Sequence, residues 1–521
     1  MKLSIIDISI LAGYCLITLS IGLFVSRSKK GKRKDSSDYF LAGRGLSWWV
    51  IGASIIASNI SAEQFIGMSG SGYAIGLGMA TYEWIAALGL IIVAKWFMPI
   101  FLQKQIYTMP QFLEQRFDAR VKTTMAIFWL AVFIFINLTS IMYLGSLTIE
   151  KVMGIPLIYG VLFLALLAGV YSIYGGMKAV AITDVVQVIF LIGGGLITTF
   201  IAVKTLGNGE GLFKGFSNLY ETSRNHFHLI LDSSNPGYKD LPGISVIIGG
   251  LWVANLYYWG CNQYIIQRSL AAKSLNEARK GMQFAGLLKL LIPLIVVIPG
   301  IVVYAMGVKL GKSDEAYPWL LSNLIPTGVK GFAFAALIAA IVGSLASMLN
   351  SISTIFTMDI FKPYIGKNAN EEKLVTVGRL SSFIALIIAV VITPMLTSLD
   401  QAFQYIQEFT GFISPGALAI FLTGFFYKKA TPNGALLAAF GTFVFSIVLK
   451  FVFPDFPWMN RMLIVFFLCV LTVFITALVE RKGVSDKAIT FIPGLFKTSR
   501  SFNIVSAIII VILVVLYTLW W

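Results

Sequence analysis

The chain has 521 residues, of which 57% are hydrophobic and 12% are charged, whereas about 25% of residues are charged in a typical soluble domain. Because a soluble protein of this length needs a charged exterior, the composition excludes that class and indicates a polytopic, all-α protein embedded in a lipid bilayer. The net charge of +16 does not indicate nucleic-acid binding, since the basic residues concentrate in alternate loops between apolar segments.

Apolar segments long enough to cross a bilayer recur from one end of the chain to the other. We expect the first to be a retained helix rather than a removed signal peptide. Placing the most basic loops in the cytoplasm puts both termini outside the cell (inner or plasma) membrane. The sequence predicts a single domain of about fourteen transmembrane helices, near residues 5–26, 46–71, 78–101, 122–150, 155–172, 183–205, 244–261, 280–305, 330–360, 376–396, 404–426, 432–453, 459–480 and 502–521.

Two of these spans are interrupted by polar residues. The span near 46–71 contains the run Asn59-Ile60-Ser61-Ala62-Glu63-Gln64, which a lipid-facing helix cannot hide, so we expect the helix to break there and line a cavity. The span near 244–261 carries Gly249, Gly250 and Asn255 and lies five spans further on. Because five is odd, this spacing predicts two inverted repeats, 46–205 and 244–426, with one extra helix at 5–26 and three at 432–521.

Two isolated charges lie inside predicted spans. Glu83 follows Tyr82 in the third span, and Lys289 lies deep in the eighth. Each is costly in a membrane unless it is paired or hydrogen-bonded. They could form a structural buried pair or line a polar cavity; together they balance in charge, which favours a neutral, hydroxylated solute over an ion.

Amide and aromatic side chains accompany these charges. Asn255 and Tyr258 share one helical face beside Trp259, and Phe403 and Gln407 form an i, i+4 pair. Amides both donate to and accept from hydroxyl groups, and an aromatic face covers the C–H side of a sugar ring. Core packing is the alternative for the aromatic residues.

Small and hydroxylated residues fill the ninth span, from Ala339 to Ser347. They could be ordinary helix-packing residues, or they could form a site for Na⁺, a hard cation that prefers oxygen ligands. Asp184 opens the sixth span, where it could be a waypoint for ion exit or a charge at a helix N-terminus.

Longer motifs make the pattern specific. They are Asp38-Tyr39-Phe40-Leu41-Ala42-Gly43, Asn59-Ile60-Ser61-Ala62-Glu63-Gln64-Phe65, Tyr171-Ser172-Ile173-Tyr174-Gly175-Gly176, Leu256-Tyr257-Tyr258-Trp259-Gly260, Ala346-Ser347-Met348-Leu349-Asn350-Ser351 and Phe403-Gln404-Tyr405-Ile406-Gln407-Glu408. At these positions, and from the first span to the last, the chain resembles the sodium/solute symporter family and its sodium/glucose (sodium/galactose) branch.

The resemblance implies a leucine-transporter-type fold with a five-plus-five inverted-repeat core, and uptake of a neutral hexose with co-transported sodium and no organic cofactor. By match to the family's site, the sugar would bind Gln64, Glu83, Asn255, Lys289 and Gln407. The outer gate would be Met68, Tyr82 and Phe403, and the inner gate Tyr258. Sodium would bind the carbonyls of Ala57, Ile60 and Ala340 and the Ser344 hydroxyl.

Two positions depart from the branch. Gly343 replaces the second hydroxyl residue usual beside Ser344, and Ala86 stands where a serine can contact the sugar. The same fold could instead carry myo-inositol, an amino acid or an organic anion. A membrane-embedded enzyme is disfavoured because the two histidines, His226 and His228, allow no zinc-peptidase motif and no phosphate loop is present. A solute sensor would usually need an appended signalling domain.

Overall fold

The computed structural model describes residues 3–27, 35–398 and 402–521, with side chains throughout except at 151, 397–398 and 402–409. The regular elements within these ranges are helices, and an isolated parallel bridge joins Leu46 to Ala272. The helices are α1 (Ile5–Ser26), α2 (Ser36–Leu41), α3 (Trp48–Asn59), α4 (Ser69–Ala74), α5 (Ala80–Ile92), α6 (Met98–Gln103), α7 (Met109–Arg116), α8 (Ala119–Val132), α9 (Thr139–Met153), α10 (Leu157–Gly175), α11 (Met177–Leu206), α12 (Leu212–Thr222), α13 (Ile244–Ile248), α14 (Gly250–Gly260), α15 (Gln263–Leu270), α16 (Leu275–Val296), α17 (Ile298–Ala305), α18 (Ala316–Asn323), α19 (Val329–Ile355), α20 (Glu371–Ile392), α21 (Ala402–Phe426), α22 (Pro432–Val452), α23 (Trp458–Val479) and α24 (Arg500–Leu519).

Irregular helical turns connect several of these helices. Wider π-helical segments occur at Glu63–Met68, Val93–Phe97, Phe133–Leu138 and Phe356–Ile365. Tighter 3-10 turns occur at Ala42–Arg44, Leu77–Met79, Arg224–His226, Pro236–Lys239, Ser313–Glu315 and Thr393–Ser398. Since π-helical turns inside α-helices are frequent at functional sites, the segment directly after α3 marks the region that the polar run had already singled out.

Local sequence explains where several helices begin. At α1 the Ser4 hydroxyl accepts a hydrogen bond from the Asp7 backbone N–H at 3.2 Å, and the Asp7 carboxylate accepts one from the Ser4 N–H at 3.0 Å. This reciprocal cap satisfies backbone donors that an apolar helix cannot satisfy by itself. Asn370 caps α20 in a similar way by accepting from the Lys373 N–H at 2.9 Å.

The described residues contain 11 continuous helices long and apolar enough to cross a membrane, or 12 if the bent pair of helices at 236–260 counts as one. The two other predicted spans do not meet that criterion. The span near 46–71 is broken into short pieces, and in α21 the apolar helix with described side chains is Thr410–Phe426. A multi-span helical protein is therefore confirmed, while the count of fourteen is not.

The central helix is α19. It belongs to the span Val329–Ile365, whose most apolar stretch is 94% buried inside the protein. The corresponding stretches of the first and last spans are 22% buried. Helix α19 packs against α11, α1, α10 and α3. Because α19 faces protein on all sides, its small and hydroxylated residues lie against other helices rather than against lipid.

Both spans that the sequence predicts to be interrupted are broken; the second bends by 76° between α13 and α14 at the Gly249–Gly250 pair, and a further break follows α14. Helix α3 ends at Asn59, and the backbone of Ile60 is extended, with φ −78° and ψ 118°. Helix α14 ends at Gly260, and Asn262 is extended before α15 begins, with φ −83° and ψ 121°. Both breaks expose backbone groups that must be satisfied inside the protein.

Candidate solute and cation sites

A cavity lies between the two helix breaks. Its empty volume is about 980 Å³, part of it open to solvent. It gathers seven of the residues predicted to bind solute or form gates: Gln64, Met68, Tyr82, Glu83, Asn255, Tyr258 and Lys289. Ala86 also lines it. The predictions for Phe403 and Gln407 concern side chains that lie outside the described residues.

Gln64 closes the break in α3 with its own side chain. Its Oε1 accepts hydrogen bonds from the Ser61 backbone N–H at 2.8 Å and from the Ser61 hydroxyl at 2.9 Å. The amide oxygen thus satisfies a backbone donor that the broken helix leaves free. Because Oε1 is engaged, the donor Nε2 is the part of Gln64 that can face a solute in the cavity.

Glu83 and Lys289 form a buried ion pair. Their side chains are 5% and 1% exposed, and the Lys289 ammonium donates to the carboxylate. The same ammonium donates to Asn59 Oδ1 and lies 5.0 Å from the centre of the Trp259 ring. The two charges that looked isolated in the sequence therefore satisfy each other, as buried charges must.

Asn59 connects this ion pair to the second break. Its Nδ2 donates to the Tyr258 hydroxyl at 3.0 Å, and the Tyr258 and Tyr264 hydroxyls are hydrogen-bonded. Asn255 accepts from Trp259 Nε1 at 2.9 Å on the same helix. A continuous polar network thus joins α5, α16, α3, α14 and α15 and connects the two breaks.

Oxygen atoms converge on Ser344. Its buried Oγ lies 3.4, 3.0 and 3.2 Å from the carbonyl oxygens of Ala57, Ser58 and Ile60. One hydroxyl hydrogen can satisfy one of these carbonyls, so the cluster has more oxygen lone pairs than donors. That excess suits a hard cation, and unwound carbonyls facing a neighbouring helix are the usual sodium ligands of discontinuous helices. Ala340 lies one turn before Ser344 on α19.

Asp184 is not at a helix N-terminus, so that interpretation was wrong. Helix α11 begins at Met177, which places Asp184 beyond the first turn, and its side chain is fully buried. It accepts from the Ser54 hydroxyl at 2.5 Å, and Ser54 accepts from Arg268 Nε at 3.2 Å. Ser54 lies one turn before Ser58, so this hydrogen bond links Asp184 to the helix that ends at the oxygen cluster; its role in ion exit stays a prediction.

The described residues contain no group of three or more His, Cys, Asp or Glu side chains that could hold a metal ion. His226 instead stacks on Tyr304, with ring centres 3.7 Å apart, and its Nε2 lies 3.1 Å from the Tyr73 carbonyl. Burial lowers the pKa of His226 below its ordinary value. These contacts hold the His226 turn against α4 and α17.

Two interrupted helices, a charge-balanced polar cavity and a neighbouring oxygen cluster define a multi-pass membrane carrier that can bind a solute and a cation together. The sequence profile of the Sodium:solute symporter family matches residues 39–441. The chain belongs to that family. It is a sodium-coupled transporter and not an enzyme.

Individual proteins agree with this assignment. The chain is similar to a sodium/glucose cotransporter from Vibrio parahaemolyticus, with 53% identity covering 100% of this chain and 99% of the relative. It is 34% identical to a sodium/myo-inositol cotransporter 2 from Oryctolagus cuniculus, covering 86% and 69% of the two chains. Among solved structures, a Na⁺-coupled sialic acid symporter matches with a TM-score of 0.81 at 23% identity, covering 93% of this chain and 99% of that one. The fold is of the leucine-transporter type.

Sequence reasoning missed the linking residues. Asn59 was part of the polar run, but its contacts with Lys289 and Tyr258 depend on how α3, α14 and α16 pack, and these helices are distant in sequence. Ser58 contributes a carbonyl to the oxygen cluster because the break lies directly after it. The hydroxyl-rich face of α3 at Ser54 and Ser58 was a signal that could have pointed to Ser58.

Proposed function

We propose that the protein imports a neutral hexose, galactose- or glucose-like, together with sodium by alternating access. One observation carries the proposal: the Ser344 oxygen cluster and the solute cavity share the break in α3, so a cation at Ala57 and Ile60 would order the backbone that leads into Gln64. The name of the relative at 53% identity supports glucose as a substrate class.

The chemistry of the cavity supports an uncharged, hydroxylated guest. Glu83 and Lys289 neutralise each other, so a charged solute would find no uncompensated partner in this pair. The Gln64 and Asn255 amides can hydrogen-bond sugar hydroxyls, and Tyr258 can cover the ring. Gln407 would complete the polar contacts.

Gating would use the apolar residues around the guest. Met68, Tyr82 and Phe403 would close the outer side, and Tyr258 the inner side. The Tyr258 hydroxyl accepts a hydrogen bond from Asn59 Nδ2 and shares one with the Tyr264 hydroxyl, which supports an inner-gate role because the ring is held between the two breaks and can be released by their movement. Asp184 would receive sodium as it leaves.

Sodium would bridge α3 and α19 through Ala57, Ile60, Ala340 and Ser344. One charge crossing 100 mV supplies about 2.3 kcal/mol, and a tenfold sodium gradient adds about 1.4 kcal/mol. Together, about 3.7 kcal/mol sustains roughly a 500-fold sugar gradient at one-to-one coupling. A single sodium ion is therefore sufficient for uphill uptake.

Purified protein in liposomes tests this proposal. Uptake of labelled D-galactose and D-glucose should require an inward sodium gradient and should fail with lithium, potassium or choline in its place. Myo-inositol belongs in the panel because relatives at 34% identity carry that name. Uptake that proceeds equally without sodium would refute the proposal; sodium-driven uptake of myo-inositol but of no hexose would select the second substrate.

We also propose that residues 46–205 and 244–426 are inverted repeats, that both termini lie outside the cell membrane, and that the 5–26 and 432–521 helices flank the core. The paired helix breaks support the repeat. Topology can be read with a membrane-impermeant maleimide on a chain without native cysteines. Lys214→Cys should label from outside and Lys482→Cys from inside, both positions being exposed; the reverse pattern would invert the topology.

A further inference from the structure

Because residue 343 is a glycine, it supplies no hydroxyl group to the oxygen cluster. The end of the Gln187 side chain lies in the space that a side chain at 343 would occupy. A Cβ atom on residue 343 would lie 2.6 Å from Gln187 Oε1 and 2.9 Å from the Ala57 carbonyl oxygen. Contacts that close are not found for real Cβ atoms, so a larger residue at 343 and the present position of Gln187 exclude each other. Both oxygens therefore border the space that a side chain at 343 would occupy.

The Gln187 amide is buried and oriented. Its side chain is fully buried on α11, one turn after Asp184. Its Nε2 donates to the Tyr171 hydroxyl at 3.1 Å, which turns Oε1 toward Gly343 and Ala57. Within the described part of the chain, Oε1 has no hydrogen-bond partner. A buried amide oxygen without a donor is destabilising, and a bound cation would relieve that cost.

We propose that Gln187 Oε1 is a sodium ligand in this protein and replaces the hydroxyl that Gly343 lacks. The inference rests on the proposed sodium site at Ser344. The Ala57 carbonyl oxygen links the two groups, because it lies 3.4 Å from Ser344 Oγ and borders the same space beside Gly343 as Gln187 Oε1. A neutral amide oxygen keeps the ligand set uncharged, as a carbonyl would, and suits a monovalent cation. Helix α11 thus joins α3 and α19 in holding the ion.

Paired substitutions at 187 and 343 test whether a hydroxyl group at 343 can replace the Gln187 amide oxygen as a sodium ligand. Gln187→Ala should raise the sodium concentration for half-maximal uptake by about 10- to 100-fold, the range for loss of one contact to a charged group. A Cβ at 343 would still lie 2.9 Å from the Ala57 carbonyl oxygen, so adding Gly343→Ser to Gln187→Ala should recover only part of the lost sodium affinity. Adding Gly343→Ala instead supplies the Cβ without the hydroxyl and should leave sodium binding weak.

Sodium binding should also be measured without transport, as the rise in melting temperature of the detergent-purified protein with sodium against choline. Gln283→Ala is the matched control, because Gln283 is equally buried but donates to Phe502 and Ser506 away from the cluster. Gln187→Glu keeps an oxygen at the site but removes the amide donor, and it should bind sodium at least as well as the original protein.

The outcomes separate this inference from the site on which it rests. If Ser344→Ala weakens sodium binding while Gln187→Ala behaves like Gln283→Ala, the Gln187 inference fails and the Ser344 site stands. If Gln187→Glu is as weak as Gln187→Ala, the amide acts as a donor to Ala57 and the inference fails as well. If Ser344→Ala leaves the sodium dependence of uptake unchanged, both the proposed sodium site and the Gln187 inference fail.

Discussion

Substitutions in the buried ion pair of Glu83 and Lys289 can distinguish a role in stability from a role in solute binding. Both side chains are almost fully buried, at 5% and 1% exposure, so removal of either partner leaves an uncompensated charge. Such a loss costs about 3–5 kcal/mol. Lys289→Met should lie at the upper end, because it leaves a buried carboxylate without its cation. Glu83→Gln should cost less, because Asn59 still accepts from the ammonium.

The double variant, Glu83→Gln with Lys289→Met, removes both charges and should recover most of the free energy of unfolding. Replacing a whole buried ion pair by neutral side chains of similar size is often close to neutral. The coupling between the two substitutions should therefore exceed about 1 kcal/mol. Reversible unfolding in mixed micelles, followed by tryptophan fluorescence, measures all four proteins.

Transport then distinguishes the two interpretations of the pair. If both side chains contact the sugar, the double variant should fold well but have a KM for sugar raised at least about tenfold. The exposed pair of Lys239 and Asp455 is the control: neutralising both should change stability by about 0–1 kcal/mol and leave KM unaltered. A double variant with an unchanged KM would make the pair a purely structural brace, and additive losses would refute its coupling.

Three further predictions concern sodium, the helix break and pH. Ser344→Ala should raise the sodium concentration for half-maximal uptake at least about tenfold, while Ser344→Thr keeps the hydroxyl and should stay near the original value. Gln64→Glu keeps the acceptor for Ser61 but loses the Nε2 donor, so sugar affinity should fall. Folding free energy should also fall in Gln64→Glu, which buries an unpaired carboxyl group, and by about 1–3 kcal/mol in Gln64→Ala, which removes the acceptor for Ser61. The lowered pKa of His226, which burial causes, means that the unfolded chain binds more protons; stability should therefore fall as pH drops through about 6.5, less steeply in His226→Gln.

Each of these has a result that would contradict it. Equal sodium curves for Ser344→Ala and Ser344→Thr would remove the hydroxyl from the ion site. Unchanged sugar affinity in Gln64→Glu, by equilibrium binding, would show that Nε2 does not face the solute. Melting temperatures of His226→Gln that fall with acid as steeply as those of the original protein would mean that another group titrates.

The lengths of the hydrophobic segments and the polar residues that interrupt them were sufficient to predict most of the transmembrane spans and the broken helix from the sequence. In the part of the chain that the structure describes, eleven spans follow from segments of about 20 apolar residues, because a bilayer admits little else. The run from Asn59 to Gln64 predicted a broken helix for the same reason, since lipid cannot satisfy exposed backbone groups. Family motifs then indicated the sodium-coupled class.

What the chain order could not reveal was which distant side chains meet. Glu83, Lys289 and Asn59 lie on three helices, and their pairing depends on how α5, α16 and α3 pack. Asp184 was misplaced because α11 begins earlier than hydropathy indicated. The meeting of Gln187 with Gly343 is the clearest case: the missing Cβ was visible in the sequence, but only the packing of α11 against α19 decides which atom occupies its volume.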